Sequence, residues 1–303
     1  MPSQMKVALI FNPRSGRGRP KNELLPRVVR RLEQAGMDVT AKPTERMGHA
    51  IEIARDVASA GFDTAIAWGG DGTLNEVACG LFETSTAMGV LPGGTVNVFA
   101  REVGIPLKLD GALDALVSGR VSRIPVGLAG ERPFLLMAGI GLDGEVVFRL
   151  KEGFKSALGA TAFWLDGFRL LASYPMTPLR IRADGREIIG TGLIAGKIRR
   201  YGPHYEVTPD AKLEEPKLDV VIFKGTNRRD YLRYLAGVLG HFHLRFTDIE
   251  HFKTDALTID VDDMEGGSAV RFQLDGEPAG YVPLVLGVRD KALAVVLPSL
   301  DDE

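Results

Sequence analysis

The sequence predicts two domains: an N-terminal α/β domain with a doubly wound parallel sheet over residues 1–124, and a mainly antiparallel β-sandwich domain over residues 125–298. In the first segment, apolar strand-like runs alternate regularly with amphipathic helix-like runs. From about Ile124 onward, short β-rich runs are separated by turn dipeptides such as Asp184-Gly185 and Asp275-Gly276. We expect a cleft between the two domains, and the sequence leaves open whether the tail at 299–303 returns to the first.

The elements of the first domain follow one another in a regular order. Buried-type strands are predicted at residues 6–11, 38–43, 63–68 and 88–92. Helices are predicted at residues 22–36, 49–61, 73–82, 95–104 and 109–119, where apolar residues recur at helical spacing. Strands that alternate with helices imply right-handed crossovers and a parallel sheet covered by helices.

The second domain is predicted mainly from short strands. They fall at residues 132–141, 178–198, 217–225, 256–261, 269–280, 284–288 and 292–298. Helical segments interrupt them around residues 153–174 and 228–242. Turn dipeptides between the strands favour antiparallel pairing.

Composition excludes several classes of protein. The net charge of −2 over 303 residues argues against a nucleic-acid partner. One cysteine, Cys79, precludes a disulfide within the chain, and no run approaches the ~20 apolar residues of a membrane span. We therefore expect a cytoplasmic protein.

Three glycine-rich loops end strands of the predicted parallel sheet. They are "FNPRSGRGR", "GGDGT" and "LPGGTVN", at residues 11–19, 69–73 and 91–97. Glycine leaves room for a phosphate against bare backbone N–H groups, and Thr73 and Thr95 lie where helices begin. Open parallel sheets bind ligands at this edge, so the loops predict a phosphate site.

Each loop taken alone also fits an ordinary strand-to-helix turn. The P-loop pattern GxxxxGK[ST] is absent, and none of these loops is interpreted as followed by a phosphate-binding lysine. "GIGLDG", residues 139–144, matches the dinucleotide pattern GxGxxG, but it lies in the β-rich region and is interpreted as a turn that lines the cleft.

Five motifs in order, "NPRSG", "GGDGTLNEV", "LPGGTVNVFAR", "GIGLDGEVV" and "FQLDGEP", resemble the soluble diacylglycerol kinase catalytic-domain family, which includes bacterial lipid kinases and sphingosine kinases. The resemblance implies an α/β nucleotide-binding domain, a β-sandwich domain and an active site in the cleft. It also implies phosphorylation of a lipid hydroxyl with ATP and Mg²⁺. The residues expected to contact ATP are Asn12, Pro13, Arg14, Ser15, Gly16, Thr44, Gly69, Gly70, Asp71, Gly72, Thr73, Leu74, Asn75, Glu76, Gly94, Thr95 and Asn97.

Three acidic residues are the expected catalytic groups. A carboxylate beside phosphates is favourable if it organises Mg²⁺ or accepts a proton, which is the hypothesis for Asp71; hydrogen bonding within the loop is the alternative. By resemblance, Glu277 is the general base for the attacking hydroxyl, and Asp275 supports it or binds Mg²⁺. Without the resemblance, "DGE" reads as a hairpin turn.

The resemblance also implies a structural Mg²⁺ in the stretch "TPDAKLEEPKLDVVIF". Its ligands would be the carbonyl of Lys212, the side chain of Glu215 and the carbonyl of Lys217. The family has Asp-Gly where this chain has Glu215-Pro216. Glutamate has a longer side chain than aspartate, and proline fixes the backbone angle φ that glycine leaves free.

Two other functions stay open. NAD kinases also place GGDGT before a helix, and a non-catalytic nucleotide-binding module could share the fold. The expected partner is a lipid at a membrane surface, reached peripherally from the inner face through arginine clusters or the apolar stripe within residues 163–171. A homodimer is also left open.

Overall fold

The computed structural model describes residues 4–16, 20–153, 173–262 and 269–299. Its contacts divide the chain into two units, Met1–Val126 with Arg289–Glu303, and Gly127–Val288. The apolar stripe within 163–171 and the loop residues Arg17, Gly18 and Arg19 lie outside the described residues.

Helices and strands follow in chain order. The helices are α1 (Lys21–Gln34), α2 (His49–Ser59), α3 (Asp71–Leu81), α4 (Val98–Glu102), α5 (Leu109–Ser118), α6 (Leu142–Gly153) and α7 (Arg228–Leu239). The strands are β1 (Met5–Phe11), β2 (Met37–Pro43), β3 (Thr64–Gly69), β4 (Ala87–Pro92), β5 (Arg120–Ala129), β6 (Arg132–Phe134), β7 (Met137–Ile140), β8 (Leu179–Ala183), β9 (Arg186–Gly190), β10 (Gly192–Gly196), β11 (Arg200–Tyr201), β12 (Tyr205–Glu206), β13 (Leu218–Phe223), β14 (Ile249–Thr254), β15 (Ala256–Val261), β16 (Arg271–Leu274), β17 (Glu277–Tyr281) and β18 (Leu284–Leu297).

The first unit is the predicted parallel α/β domain. Its sheet has the order β2-β1-β3-β4-β18, and the pairs among β1 to β4 are parallel. Leu9 at the centre of β1 is paired with Ala41 and Ile66, and its side chain is fully buried. Burial of β1 from Val7 onward, and of β3 along its length, is typical of strands covered on both faces by helices.

The second unit is the predicted antiparallel β domain. One sheet has the order β14-β13-β10-β7-β16-β17, and β15 pairs with β8 and with the start of β18, the long strand that also pairs with β4 in the other sheet. One apolar core draws on both sheets, with Leu193, Val220, Leu257 and Leu286 among its buried members. The predicted fold class is therefore confirmed.

The end of the C-terminal strand β18 belongs to a different unit from the one that the sequence predicts. Residues 289–298 were assigned to the second domain, yet the contacts place them in the first unit. The physical reason is that Val295 pairs in parallel with Met88, which extends the first unit's sheet beyond β4. Ser299, in the tail, donates a hydrogen bond to the carbonyl of Ser118 in the same unit.

Helix α6 was not predicted. It begins within "GIGLDG", directly after Gly141, whose φ of 91° favours glycine. Because the glycines of this motif are interpreted as a turn, the sequence analysis does not predict a helix that begins at Leu142. Within the described ranges, no helix is long and apolar enough to cross a membrane.

Candidate active site

The three glycine loops meet after β1, β3 and β4. The backbone N–H of Gly93 donates to the carbonyl of Gly69 at 2.7 Å. A methyl group on Gly16, where φ is 94°, would lie 2.2 Å from the carbonyl oxygen of Gly93. A methyl group on Gly94 would lie 2.5 Å from the Cα of Gly70. The glycines are therefore required because backbone packs on backbone where the loops touch.

A lysine that the sequence analysis overlooked joins two of these loops. The Nζ of Lys21, the first residue of α1, donates to the carbonyl and to the Oγ of Ser15 at 2.5 Å each, and to the carbonyl of Gly93 at 3.3 Å. Lys21 is only 4% exposed, and burial lowers its pKa to about 8. The available signal was its position at a helix start directly after a glycine-arginine loop.

Asp71 opens α3 and faces the start of α4. Its carboxylate accepts a hydrogen bond from the backbone N–H of Phe99 at 3.3 Å. Burial raises the pKa of Asp71, and the backbone N–H groups of Val98, Phe99 and Asn97 oppose that rise. Asp71 also lines a small pocket with Gly69, Gly70 and Asn97 among others. Its predicted metal or proton role stays a prediction.

Polar side chains fix the shape of the first and third loops. Asn97, with φ 53°, accepts from the N–H of Gly94 at 2.9 Å and donates to its carbonyl at 3.0 Å. Asn12 accepts from the N–H of Arg14 at 2.9 Å. The Oγ of Ser15 donates to the carbonyl of Asn12 at 3.2 Å. These bonds stabilise the conformation of both loops.

Two other residues predicted to contact ATP are Thr44, which follows β2, and Glu76, which lies within α3. The N–H of Thr44 donates to the carbonyl of Phe11 at 2.8 Å, which places Thr44 beside the first loop. The carboxylate of Glu76 instead accepts from the N–H groups of Gly48 and Ala50, at 2.9 and 3.1 Å. Glu76 therefore stabilises the start of α2.

The remaining predicted residues of the second and third loops differ in exposure. Leu74 and Asn75 are buried within α3, and Thr73 packs beside Gly69. Gly72 and Thr95 are exposed, and Pro13 is half-buried in the first loop. Exposed and half-buried positions are those that a ligand in the loops could touch.

In the second unit, Asp275 is a buried acceptor. Its carboxylate accepts from the backbone N–H groups of Leu135, Leu136 and Met137 at 2.7, 2.8 and 3.0 Å. Its φ is 52°, which Asp tolerates in a turn. Glu277, two residues later at the start of β17, is half-buried. Asp275 thus anchors the turn that carries Glu277.

A buried polar chain supports the same turn, and sequence reasoning missed it. Gln273 accepts from the N–H of Gly276 at 2.7 Å and donates to Asp143 at 2.8 Å. Tyr201 donates its hydroxyl hydrogen to the other carboxylate oxygen of Asp143. Burial raises the pKa of Asp143, while bonds from Tyr201 and Gln273 oppose the rise. Asp143 belongs to "GIGLDG", so this motif contributes to the support of the turn that carries Glu277.

The oxygens predicted to hold a structural Mg²⁺ are bonded to protein donors. The carbonyl of Lys212 accepts from the N–H of Glu215 at 3.1 Å. The Glu215 carboxylate accepts from Lys253 at 2.6 Å, and the carbonyl of Lys217 accepts from Lys197 at 3.1 Å. Two of these donors are ammonium groups, so this set of residues does not fit a divalent cation. No cluster of three or more His, Cys, Asp or Glu suited to a metal occurs in the part of the chain that the structure describes.

Comparisons with known proteins agree with the predicted resemblance. Residues 6–129 match the family profile described as the diacylglycerol kinase catalytic domain. Residues 137–297 match the profile described as the YegS C-terminal NAD kinase beta sandwich-like domain. The first profile matches the N-terminal α/β part of the chain, and the second profile matches the β-rich part.

Two relatives and two solved structures extend the comparison. A diacylglycerol kinase of Staphylococcus aureus (strain MRSA252) is 30% identical over 282 residues, which cover 92% of this chain and 88% of that protein. The diacylglycerol kinase of strain bovine RF122 / ET3-1 is 31% identical with the same coverage. A crystal structure described as a diacylglycerol kinase from Bacillus anthracis str. Sterne has a TM-score of 0.76 at 26% identity and covers 97% of each chain. A second structure from that organism has a TM-score of 0.80 at 24% identity, covers 98% of each chain, and shows likeness of fold alone.

Proposed function

The chain belongs to the diacylglycerol kinase catalytic-domain family and is a lipid kinase of that family, and on this premise we propose that it transfers the γ-phosphate of ATP to the hydroxyl of a diacylglycerol-like lipid. The observation that carries the proposal is the meeting of the three glycine loops. There, bare backbone and a buried ammonium group lie together at one edge of the parallel sheet.

This arrangement suits the phosphates of ATP. Gly69 and Gly70 lead directly into α3, whose first N–H groups attract an anion. Lys21 adds a positive charge close to Ser15 and Gly93. Both features favour a polyphosphate over a neutral ligand, because neutralising charge is the main task in phosphoryl transfer.

Mg²⁺ would accompany ATP rather than reside in the empty protein. Bound together with ATP, it would supply positive charge that neutralises the phosphates. Asp71 supplies the carboxylate in the glycine loops that could orient such an ion, and a carboxylate oxygen is the ligand type Mg²⁺ prefers. The hydrogen bond donated by the backbone N–H of Phe99 orients the carboxylate of Asp71.

Glu277 is proposed as the general base. A carboxylate within hydrogen-bond reach of a hydroxyl typically contributes about 10²–10⁴-fold to the rate. The three amides bound to Asp275, and the Gln273–Gly276 bond, fix the turn from which Glu277 projects. The role of Asp275 is therefore to position Glu277.

One observation favours a second candidate, phosphorylation of NAD. The profile matched by residues 137–297 is described as NAD kinase beta sandwich-like. The catalytic-domain match at residues 6–129 and the diacylglycerol kinase relatives favour the lipid.

The test uses ATP labelled at the γ-phosphate, Mg²⁺, and mixed micelles that contain diacylglycerol and other hydroxyl-bearing lipids, with NAD in a parallel reaction. We expect labelled phosphate in a lipid. The migration of that lipid on a chromatogram identifies it. Glu277→Gln should lose that transfer and retain ATP binding, whereas Glu131→Gln, an exposed residue of the same unit, should leave it unchanged. Label on NAD and on no lipid would replace the proposal with the second candidate.

We propose that α7 contacts the membrane that presents the lipid. Leu232 and Leu239 are exposed at positions i and i+7 of the helix, and Phe242 is exposed just beyond its end. Arg228 and Arg229 are exposed in the first turn. An apolar face bordered by arginines suits an anionic lipid surface, with affinity that falls as salt rises.

Flotation with phosphatidylglycerol vesicles tests this contact. The double variant Arg228→Glu/Arg229→Glu should float less than the unaltered protein at low salt, and Leu232→Glu should float less at any salt. Arg55→Glu reverses an exposed charge of the first unit and is the matched control. Equal flotation of all variants would exclude α7 as the contact.

A further inference from the structure

Lys197 is a lysine with a fully buried side chain. It follows β10 directly, is 0% exposed, and is followed by Ile198, which is also fully buried. Its backbone N–H donates to the carbonyl of Leu136 at 2.8 Å. A buried ammonium group is costly unless it is bonded to strong acceptors. The acceptors bound by Lys197 therefore indicate what this lysine does in the structure.

The Nζ of Lys197 binds two backbone carbonyls of a single turn. It donates to the carbonyl of Glu215 and, at 3.1 Å, to the carbonyl of Lys217. Lys253 binds the same turn from its side chain, at 2.6 Å from the carboxylate of Glu215. Two positive groups from separate parts of the chain thus converge on the turn around Pro216.

These acceptors overlap with the oxygens expected to hold a structural Mg²⁺. That expectation named the carbonyls of Lys212 and Lys217 and the carboxylate of Glu215. Mg²⁺ binds oxygen at about 2.0–2.1 Å in a near-octahedral shell. An ion at that distance from Lys217 and Glu215 would lie beside the ammonium groups of Lys197 and Lys253, and like charges at such range repel strongly.

We propose that the ammonium group of Lys197 is a built-in cation that takes the place of a structural divalent metal in this turn. Lys197 supplies the positive charge that gathers the carbonyls of Glu215 and Lys217, and Lys253 neutralises the carboxylate of Glu215. The turn leads into β13, whose strand is buried along its length, so the lysine fixes the entry of a core strand. The second unit therefore folds without a divalent cation at this position.

The first test needs only the unaltered protein without nucleotide. We expect the same thermal midpoint, within about 1 °C, in EDTA and in millimolar Mg²⁺, since a cation that binds only the native state would raise it. Refolding from urea should give the same yield in both solutions. A titration with Mn²⁺, followed by electron paramagnetic resonance, should show no site that Glu215→Gln removes. A Mg²⁺-dependent midpoint, or a Mn²⁺ site lost in Glu215→Gln, would overturn the proposal.

The second test removes the ammonium group. Lys197→Met keeps the length of the side chain but leaves the two carbonyls without their charged donor, and the thermal midpoint should fall by at least about 5 °C. Lys212→Met, an exposed lysine of the same turn, should leave the midpoint nearly unchanged. Equal midpoints for Lys197→Met and the unaltered protein would refute the role of Lys197. If Lys197→Met does not fold, the metal titration of the unaltered protein still decides.

Discussion

Gly94 and Gly70 touch through their backbones: a methyl group on Gly94 would lie 2.5 Å from the Cα of Gly70, closer than real Cβ atoms approach. The contact is asymmetric, since a methyl group on Gly70 would lie 3.3 Å from the Cα of Gly94. Neither glycine has a positive φ in the structure, so the constraint is space rather than backbone conformation. Two loops that follow different strands thus pack backbone against backbone, with no room for a methyl group on Gly94.

Gly94→Ala should therefore force the second and third loops apart. We expect a loss of at least about 10-fold in ATP affinity, because the N–H groups of the loops would no longer converge on one anion. Gly70→Ala, whose methyl group meets a longer gap, should lose less. Isothermal titration with ATP measures both. Equal affinities in Gly94→Ala and the unaltered protein would separate ATP binding from this contact.

Lys21→Met should weaken ATP binding. It removes the ammonium group that ties Ser15 to Gly93 and lies beside the proposed phosphate position. We expect the dissociation constant for ATP to rise about 10-fold or more, which corresponds to about 1.4 kcal/mol. Lys108→Met, at the exposed start of α5, removes one charge outside the loops and should bind ATP normally.

Lys21 also predicts an unusual pH dependence of stability. Burial lowers its pKa from 10.5 to about 8, so between these values the unfolded chain binds a proton that the folded chain has released. The free energy of unfolding due to Lys21 therefore rises with pH from about 8 to about 10.5, by up to roughly 3 kcal/mol. Urea unfolding of the unaltered protein and of Lys21→Met from pH 7 to 10 measures this contribution. The free energy of unfolding of the unaltered protein, minus that of the variant, should increase above pH 8. A difference that stays constant would contradict the lowered pKa.

The order of elements and the loop positions were predictable because they depend on local pattern. Apolar runs of strand length that alternate with helical spacing specified the parallel sheet, and Gly-rich turns at strand ends specified the loops. The turn at Asp275 to Glu277 needed the family resemblance, because three residues of that kind are an ordinary hairpin turn when read alone.

The missed features depend on contacts between residues far apart in the chain. The amides that bind Asp275 belong to Leu135, Leu136 and Met137, about 140 positions earlier. The sequence did not predict the role of Lys21 because a P-loop pattern places its lysine directly after the glycines, whereas the long side chain of Lys21 returns to the loop from a helix. No local pattern marks Lys197, since nothing in its neighbourhood of the sequence indicates which carbonyls it will meet.

Asp275→Asn should destabilise the second unit. An asparagine tolerates the positive φ, so the backbone is not the cause, but its amide offers one acceptor oxygen where the carboxylate serves three N–H donors. We expect a loss of about 2–4 kcal/mol in the free energy of unfolding, measured with urea. Glu277→Gln, two residues away, should lose transfer with little change in stability. This contrast separates an anchor of the turn from the base that the turn presents.

Asp71→Asn distinguishes the two hypotheses for the carboxylate among the glycines. Asparagine accepts a hydrogen bond at a helix start about as well as aspartate, so the bond to the N–H of Phe99 can persist. Removal of a carboxylate whose pKa is raised by burial also removes a desolvation cost. We therefore expect a thermal midpoint within about 3 °C of the unaltered protein.

Transfer of labelled phosphate should nonetheless fall by at least about 100-fold in Asp71→Asn, because an amide cannot hold Mg²⁺ or a proton as a carboxylate does. ATP binding measured with and without Mg²⁺ gives the second readout: the gain in affinity that Mg²⁺ confers should shrink in the variant. A variant with full transfer and a lowered midpoint would show that Asp71 serves only to shape the loop. Loss of a metal-binding role would lower transfer and leave the thermal midpoint unchanged, whereas loss of a loop-shaping role would lower the midpoint and leave transfer unchanged. The two measurements therefore decide why a negative charge lies at a site built for anions.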